Sequence, residues 1–399
     1  MAIQRLSGLL KKFTKEPEYE TAYRTAVQKY FHDWYALPIT AKHELDHPRQ
    51  LFLPHHGVYK KSAEKKKLRI VFDATAEYKG KSLNNSMITG PKLQKELAEI
   101  FLKFRERPIA IGADIEAMFS RIRLTKDDAR YHRFLMPDKQ TGKIEVYQMN
   151  RLTFGDGASP FVAMSTLHRT ADDYGGKQDR AKKAIKENFY MDDYLDSFDV
   201  PEEAIRVGGC VREILRKGDF NLTKWISNSG EVRKAFGVEK NDGITDVSGK
   251  EEGIKVLGVA WTQEADVFTF RINNTQNVIY TRRGLLSKIA GMFDPLGLAA
   301  PATIKGKIGL QRMTIAHAGW DEPLDEEERT WWDKWLKKLE ELRSLRIPRC
   351  IRPVPGTDIE TEMHIFCDAS EEAFAAVAYL RTVRDGKYIA SNIIMAKTR

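Results

Sequence analysis

The chain has 399 residues, 42% of them apolar and 30% charged, with 65 basic against 56 acidic side chains and a net charge of +9. At roughly 150 residues per domain this is two or three domains with full cores, which excludes a collagenous, low-complexity or wholly disordered chain and is compatible with a polyanionic partner. No run of about 18 apolar residues suggests a membrane span, the apolar stretch in MAIQRLSGLLKKF is too short for a secretory signal, and Cys210, Cys350 and Cys367 show neither paired zinc spacing nor an even disulfide set; a cytosolic or nuclear protein without a membrane partner is expected.

In chain order, residues 1–50 mix helical patches with polar breaks, and no internal repeat appears there or elsewhere. LRIVFDAT (68–75), bounded by lysines and by EYKGKSLNN, reads as a strand entering a loop. Pro91 opens a segment in which Leu93, Leu97, Ile100, Phe101 and Phe104 recur at helical spacing, predicting an amphipathic helix that ends at Pro108. IAIGAD (109–114) predicts a buried strand that delivers Asp114 to its end. An alternating stretch from Ile144 and Val146 follows, then a helix from Ser159-Pro160 to the break at Gly175-Gly176. In ENFYMDDYLDSF (187–198) the apolar flanks of Asp192-Asp193 predict a tight hairpin with acids at its tip. Pro201 starts a helix whose apolar positions Ala204, Val207, Val211, Ile214 and Leu215 lead to Gly218, read as its C-terminal cap. VLGVAWT (256–262) reads as a strand, Trp331, Trp332, Trp335, Leu336, Leu339 and Leu342 line one helix before Pro348, and strand-like MHIFCDAS carries Asp368.

Asp114, Asp192 and Asp193 each fall where a strand ends, so packing those elements side by side would gather three carboxylates. Hard oxygen donors suit Mg²⁺ or Mn²⁺, and two such ions can activate a 3′-hydroxyl and stabilise a leaving pyrophosphate. The competing reading of Asp192-Asp193 is a solvated turn, where Asp is common.

The neighbouring segments decide between the two. Asp114 with Phe119 five residues on, FGDGASP (154–160), YMDD (190–193), GDFNLTKW (218–225) and VLG (256–258) come in the order of reverse-transcriptase palm motifs A to E. LRIVFD with its preceding lysines resembles the fingers strand of these enzymes. LPHHGVYK, SLNN, GPKLQ, KWISN and FDPLGLAAPATIKGKIGLQ resemble the BEL/Pao class of long-terminal-repeat retrotransposons, a likeness running over roughly residues 50–399. The resemblance implies an α/β (α+β) right-hand polymerase with fingers, an antiparallel palm sheet and a helical thumb and connection. Its implied divisions are a helical lead segment 1–50, fingers and palm 51–262, thumb and connection 263–355, and a truncated ribonuclease H-like fragment 360–399. It further implies an RNA-directed DNA polymerase that extends a primer with dNTPs on an RNA or DNA template, alongside other segments of a retrotransposon polyprotein. A catalytically inactive or host-retained copy that only binds nucleic acid is the alternative, and intact Asp114, Arg69 and YMDD count against it.

By the same resemblance, Asp114, Asp192 and Asp193 would hold two Mg²⁺ or Mn²⁺ ions, with the main-chain carbonyl of Ile115 as an additional ligand. Arg69 would grip the incoming triphosphate, its planar fork suiting phosphate oxygens, and Lys67, Lys65 or Lys66 would add a point charge unless they form a solvated turn. Phe119 takes the steric-gate position against a ribose 2′-hydroxyl, or else is a core aromatic. Gly155 and its loop would lie under the template and nascent pair, or simply make a turn. Phe154 stands where retroviral enzymes usually have glutamine, so that polar contact is not carried over. Lys224 would supply the motif D lysine that protonates pyrophosphate.

HIFCDAS with Asp368 resembles the first strand of ribonuclease H; the other acids of that metal site are expected beyond Arg399, so ribonuclease H activity is not expected from this stretch. The last 40 residues are expected to pack on the connection or stay mobile. The region around 250–350 resembles what is catalogued as a Pao peptidase, yet it has no Asp-Thr-Gly or Asp-Ser-Gly, and proteolysis is not inferred. His55-His56 lack a Cys/His cluster and read as local packing, and the tryptophan stripe reads as core.

Overall fold

The computed structural model describes all residues except 61–66, 139–140, 239–253, 273–277, 317–318, 355 and 357. The chain divides into two units, one of residues 1–94, 115–177 and 213–221, the other of 95–114, 178–212 and 222–399.

In the first unit, helices Ala2–Lys15 and Pro17–His32 bury the stripes Leu6, Leu9, Phe13 and Tyr19, Tyr23, Val27. The period-3.6 stripe needs an apolar partner, and it finds one in a core shared with Leu68, Ile70, Phe72, Phe134, Met136 and Tyr147. Residues 1–50 therefore help to build this core. Strands His55–Lys60 and Lys67–Phe72 pair antiparallel, and strand Ile144–Met149 lies between Ala36–Pro38 and Arg133–Pro137. Helix Ser159–Tyr174 follows the FGDGASP loop, with Pro160 in its first turn.

The second unit is built on a four-stranded sheet in the order Phe189–Tyr190, Asp193–Phe198, Ile109–Ile115, Leu222–Ser227. Strand 109–115 runs antiparallel to 193–198, with Ile109 opposite Phe198 and Asp114 opposite Asp193. Alternation sends Ala110 and Leu195 to one face, where they join Ile100, Phe101 and Phe104 of helix Leu97–Glu106 in one core. Ile111 and Tyr194 take the other face, which helix Pro201–Lys217 approaches at Gly208. Helices Arg282–Ala290, Ala300–Ala316 and Glu326–Glu341 share a further core around Trp332 and Trp335, the last helix opened by an Asp325/Glu328 capping box.

The chain ends in an antiparallel sheet of Ile359–Ala369, Phe374–Arg384 and Lys387–Thr398. These residues are packed down: the Ala396 amide donates to the Leu296 carbonyl at 2.8 Å, and the fully buried Arg105 donates to the carbonyls of Ile394 at 2.6 Å and Ile393 at 2.7 Å. Arg349, also fully buried, donates to Asp266 at 2.6 and 2.8 Å and to the carbonyls of Phe104, Arg107 and Pro108.

Three local expectations are corrected. The helix expected from Pro91 begins at Leu97: its buried apolar stripe is Ile100, Phe101 and Phe104, and Leu93, ahead of it, is half-buried. Gly218 is no left-handed cap: Asp219 takes φ +64, and Gly218 is needed because a Cβ there would lie 2.5 Å from Thr170. VLGVAWT is not one strand but part of a hairpin, Ile254–Val256 with Val259–Thr262. It reverses at Leu257 and Gly258, whose φ of +45 and +93 suit a two-residue turn matched to strand twist.

Candidate active site

In the second unit the acids gather at one end of the sheet. Asp114 and Asp193 face each other across the central strand pair, and Tyr190 pairs with Asp193, leaving Met191 and Asp192 as the two-residue turn. Met191 takes φ +57, where such turns ordinarily use glycine or asparagine. Holding a side chain there costs on the order of 1 kcal/mol, and the result is Asp192 at the tip, next to Asp193. Asp196, three residues on, points to the opposite face by alternation. Its buried carboxylate accepts two bonds from Arg180 at 2.8 Å, one from the Tyr194 hydroxyl at 3.0 Å and one from the Ser197 amide at 2.9 Å. Burial raises its pKa against the pull of Arg180, so Asp196 serves the core and not a metal.

Lys224 lies on the neighbouring strand with φ +52, a break in otherwise extended backbone. Its ammonium is ion-paired with the Asp114 carboxylate, and the Thr223 hydroxyl donates to the Asp114 carbonyl at 3.3 Å. Among the described residues no three His, Cys, Asp or Glu side chains form a ready metal-binding group. The donor chemistry nevertheless fits Mg²⁺ or Mn²⁺, since the acids offer hard oxygens and Asp114 already holds a cation, the Lys224 ammonium. Ile115, whose carbonyl was expected to assist, is buried next to Asp114 in the chain.

The residues expected on the nucleotide side belong to the first unit. Arg69 points outward between buried Leu68 and Ile70, as strand alternation requires. Its charge reaches the Tyr30 hydroxyl, whose pKa burial raises and Arg69 restrains. Lys67 starts the same strand opposite Lys60, while Lys65 and Lys66 lie outside the described residues. Phe119, half-buried in the short helix Met118–Arg121, has its ring 4.8 Å from that of Phe154, tilted by 50°. Gly155 takes φ +106, and a Cβ there would lie 2.0 Å from the Phe72 carbonyl oxygen. No other residue fits that conformation and approach, so the glycine does more than turn the chain.

Three residues that sequence reading passed over hold this loop. The Asn84 side chain donates to the Gly155 carbonyl at 3.1 Å and accepts from the Gly157 amide at 2.8 Å. Asp156 is buried, accepting from the Ala158 amide at 2.8 Å and facing His132 Nε2 at 3.1 Å. SLNN and the acid between two glycines were visible signals; His132 had none. Of the remaining expectations, His55 is buried in the first core, its Nε2 donating to the Leu135 carbonyl at 2.9 Å. Asp368 stands exposed opposite Ala375 in the terminal sheet.

A hairpin-tipped antiparallel sheet with opposed aspartates is the palm of a polymerase, and the chain belongs to the reverse transcriptase (RNA-dependent DNA polymerase) family, whose model matches residues 59–259. Residues 281–399 match the Pao retrotransposon-like RNaseH-like domain. A reverse transcriptase region is thus followed by a Pao retrotransposon-like RNaseH-like domain, in the order the motifs implied. No curated protein matches it. It is similar in fold to the foamy viral protease-reverse transcriptase dRH solved with double-stranded DNA, with a TM-score of 0.58 at 14% identity over 94% of this chain and 55% of that one. The foamy viral protease-reverse transcriptase solved with an RNA/DNA hybrid gives a TM-score of 0.56 at 15% identity, over 95% of this chain and 42% of that one. The chain therefore spans about half the length of these viral proteins.

Proposed function

We propose that this protein extends a primer with dNTPs on an RNA or DNA template, as part of a cytoplasmic retrotransposon polyprotein. The observation that carries the reading is the Asp114–Asp193 opposition with Asp192 at the adjoining turn. Like charges placed opposite each other in a ladder are destabilising, and such an arrangement persists where a cation is to be held. Asp114, Asp192, Asp193 and the Ile115 carbonyl would hold two Mg²⁺ or Mn²⁺ ions, which when bound supply Lewis-acid activation of the 3′-hydroxyl and charge neutralisation of the phosphates. Arg69 orients the triphosphate through its guanidinium fork, and Phe119 crowds a 2′-hydroxyl. Lys224, on releasing Asp114, donates a proton to the departing pyrophosphate. The primer 3′-oxygen displaces pyrophosphate from the α-phosphorus in line, and the protein contributes position and electrostatics without a covalent intermediate.

Primer extension on an RNA template with Mg²⁺ or Mn²⁺ tests this. Template-dependent, metal-dependent elongation is expected; primer-template binding without elongation would point instead to a nucleic-acid-binding remnant.

A further inference from the structure

We infer that the Phe119–Phe154 ring pair, not Phe119 alone, discriminates deoxyribose from ribose, and that Asn84 and the His132–Asp156 pair are positioning residues that hold it in register. This deepens the polymerase reading and rests on it.

The inference starts from how much structure is committed to one exposed ring. Phe154 is 44% exposed, so core packing does not account for it; its ring instead lies against Phe119 at 4.8 Å. Phe119 has little support of its own, since its helix is four residues long and begins after Ala117 at φ +52. A single ring on so short a helix can turn aside, whereas two rings in contact form a wider and stiffer wall.

The backbone on both sides of Phe154 is fastened. Its carbonyl accepts from the Phe72 amide at 3.4 Å, and Gly155 has no room to move away from the Phe72 carbonyl. The Asn84 amide bridges the Gly155 carbonyl and the Gly157 amide. The Ser159 hydroxyl donates to the Thr153 carbonyl at 2.7 Å, closing the loop from below. Beneath it, Asp156 and His132 have side chains only 1% and 3% exposed, and His132 Nδ1 faces the Asp128 carbonyl at 3.0 Å. Burying a carboxylate with an imidazole carries a desolvation penalty that a simple surface turn does not incur. What the arrangement supplies is position: an error of about 1 Å at a reacting group can cost a hundredfold in rate.

The chemistry recognised is therefore a 2′-deoxyribonucleoside triphosphate, with the sugar sensed by two rings. The test compares binding of a dNTP and the matching rNTP to the protein on a primer-template ended with a dideoxynucleotide, which needs no chemistry, alongside kcat and KM for incorporation on an unblocked primer. Phe154→Ala is expected to raise the ribo-to-deoxy ratio about tenfold, the scale on which an apolar wall discriminates, mainly through the KM and binding of the rNTP. His132→Ala and Asn84→Ala are expected to move the ratio the same way by less. Asp156→Asn, whose amide keeps both hydrogen-bonding positions, should preserve it. Phe154→Leu keeps the bulk without the ring and serves if the alanine variant is unfolded. A folded Phe154 variant with a ratio within twofold of wild type overturns the ring pair, and a His132→Ala ratio equal to wild type overturns the positioning role. Wild-type protein that fails to extend an unblocked primer overturns the polymerase reading instead, while the blocked-primer ratio still reports on the rings.

Discussion

Asp114 and Asp193 stand directly opposite each other in the antiparallel pairing of strands 109–115 and 193–198, so the central ladder of the palm works against its own electrostatics at one rung. The Lys224 ammonium on Asp114 offsets part of that repulsion. Asp193→Asn should therefore remain folded, since the amide is isosteric with the carboxylate, while primer extension falls at least a hundredfold. Thermal unfolding and extension measured on the same preparation check this; a mutant extending within a few-fold of wild type would remove Asp193 from the chemistry.

If Lys224 and a divalent ion share the Asp114 carboxylate, removing the ammonium should favour the ion. In Lys224→Met the rise in melting temperature on adding Mn²⁺ is expected to exceed that of wild type at every concentration. An equal or smaller rise would show that the two cations do not compete.

His55 links pH to the stability of the first unit. Its Nε2 donates to the Leu135 carbonyl and its Nδ1 accepts from the Tyr23 hydroxyl, and burial lowers its pKa from 6.5 to about 4. The unfolded chain takes up a proton near pH 6.5 that the folded one refuses until about pH 4, so this contribution is full above pH 6.5 and lost as pH falls through that window. The loss totals about 3 kcal/mol at 1.36 kcal/mol per pH unit. Denaturant unfolding of wild type and His55→Gln across that range should show a steeper acid slope for wild type.

Arg349 ties helix 97–106 to the region that follows the palm. Arg349→Met leaves Asp266 without its bidentate partner and removes a donor from the carbonyls of Phe104, Arg107 and Pro108, the last of which keeps Asn228, which predicts a destabilisation of about 3–5 kcal/mol. Protease sensitivity near residues 349–399 should rise in the mutant; an unchanged melting curve and digestion pattern would deny the residue that role.

Primer-template binding by a chain of net charge +9 should be driven by phosphate contacts. Affinity is expected to fall steeply with salt and to vary little with sequence. A flat salt dependence measured by fluorescence anisotropy would contradict this.

The sequence by itself determined what depends on neighbouring residues: the hairpin around Asp192-Asp193, the alternation that turns Arg69 outward, the buried stripe of Ile100, Phe101 and Phe104, and a motif order specific enough to name the family. Local patterning reads these because a turn, a strand face and a helix face are set within a few residues. Where the local signal was incomplete, as at VLGVAWT and Gly218, a turn or a close approach to Thr170 had to be seen. Tertiary structure alone decided that Asp114 lies opposite Asp193, that Lys224 neutralises Asp114, that Asn84 spans Gly155 and Gly157, that His132 meets Asp156, and that residues 1–50 complete a core. Each joins residues far apart in the chain, and register between distant strands, like the choice of partner for a buried charge, follows from how whole surfaces fit and what they exclude from water, which no short window of sequence contains.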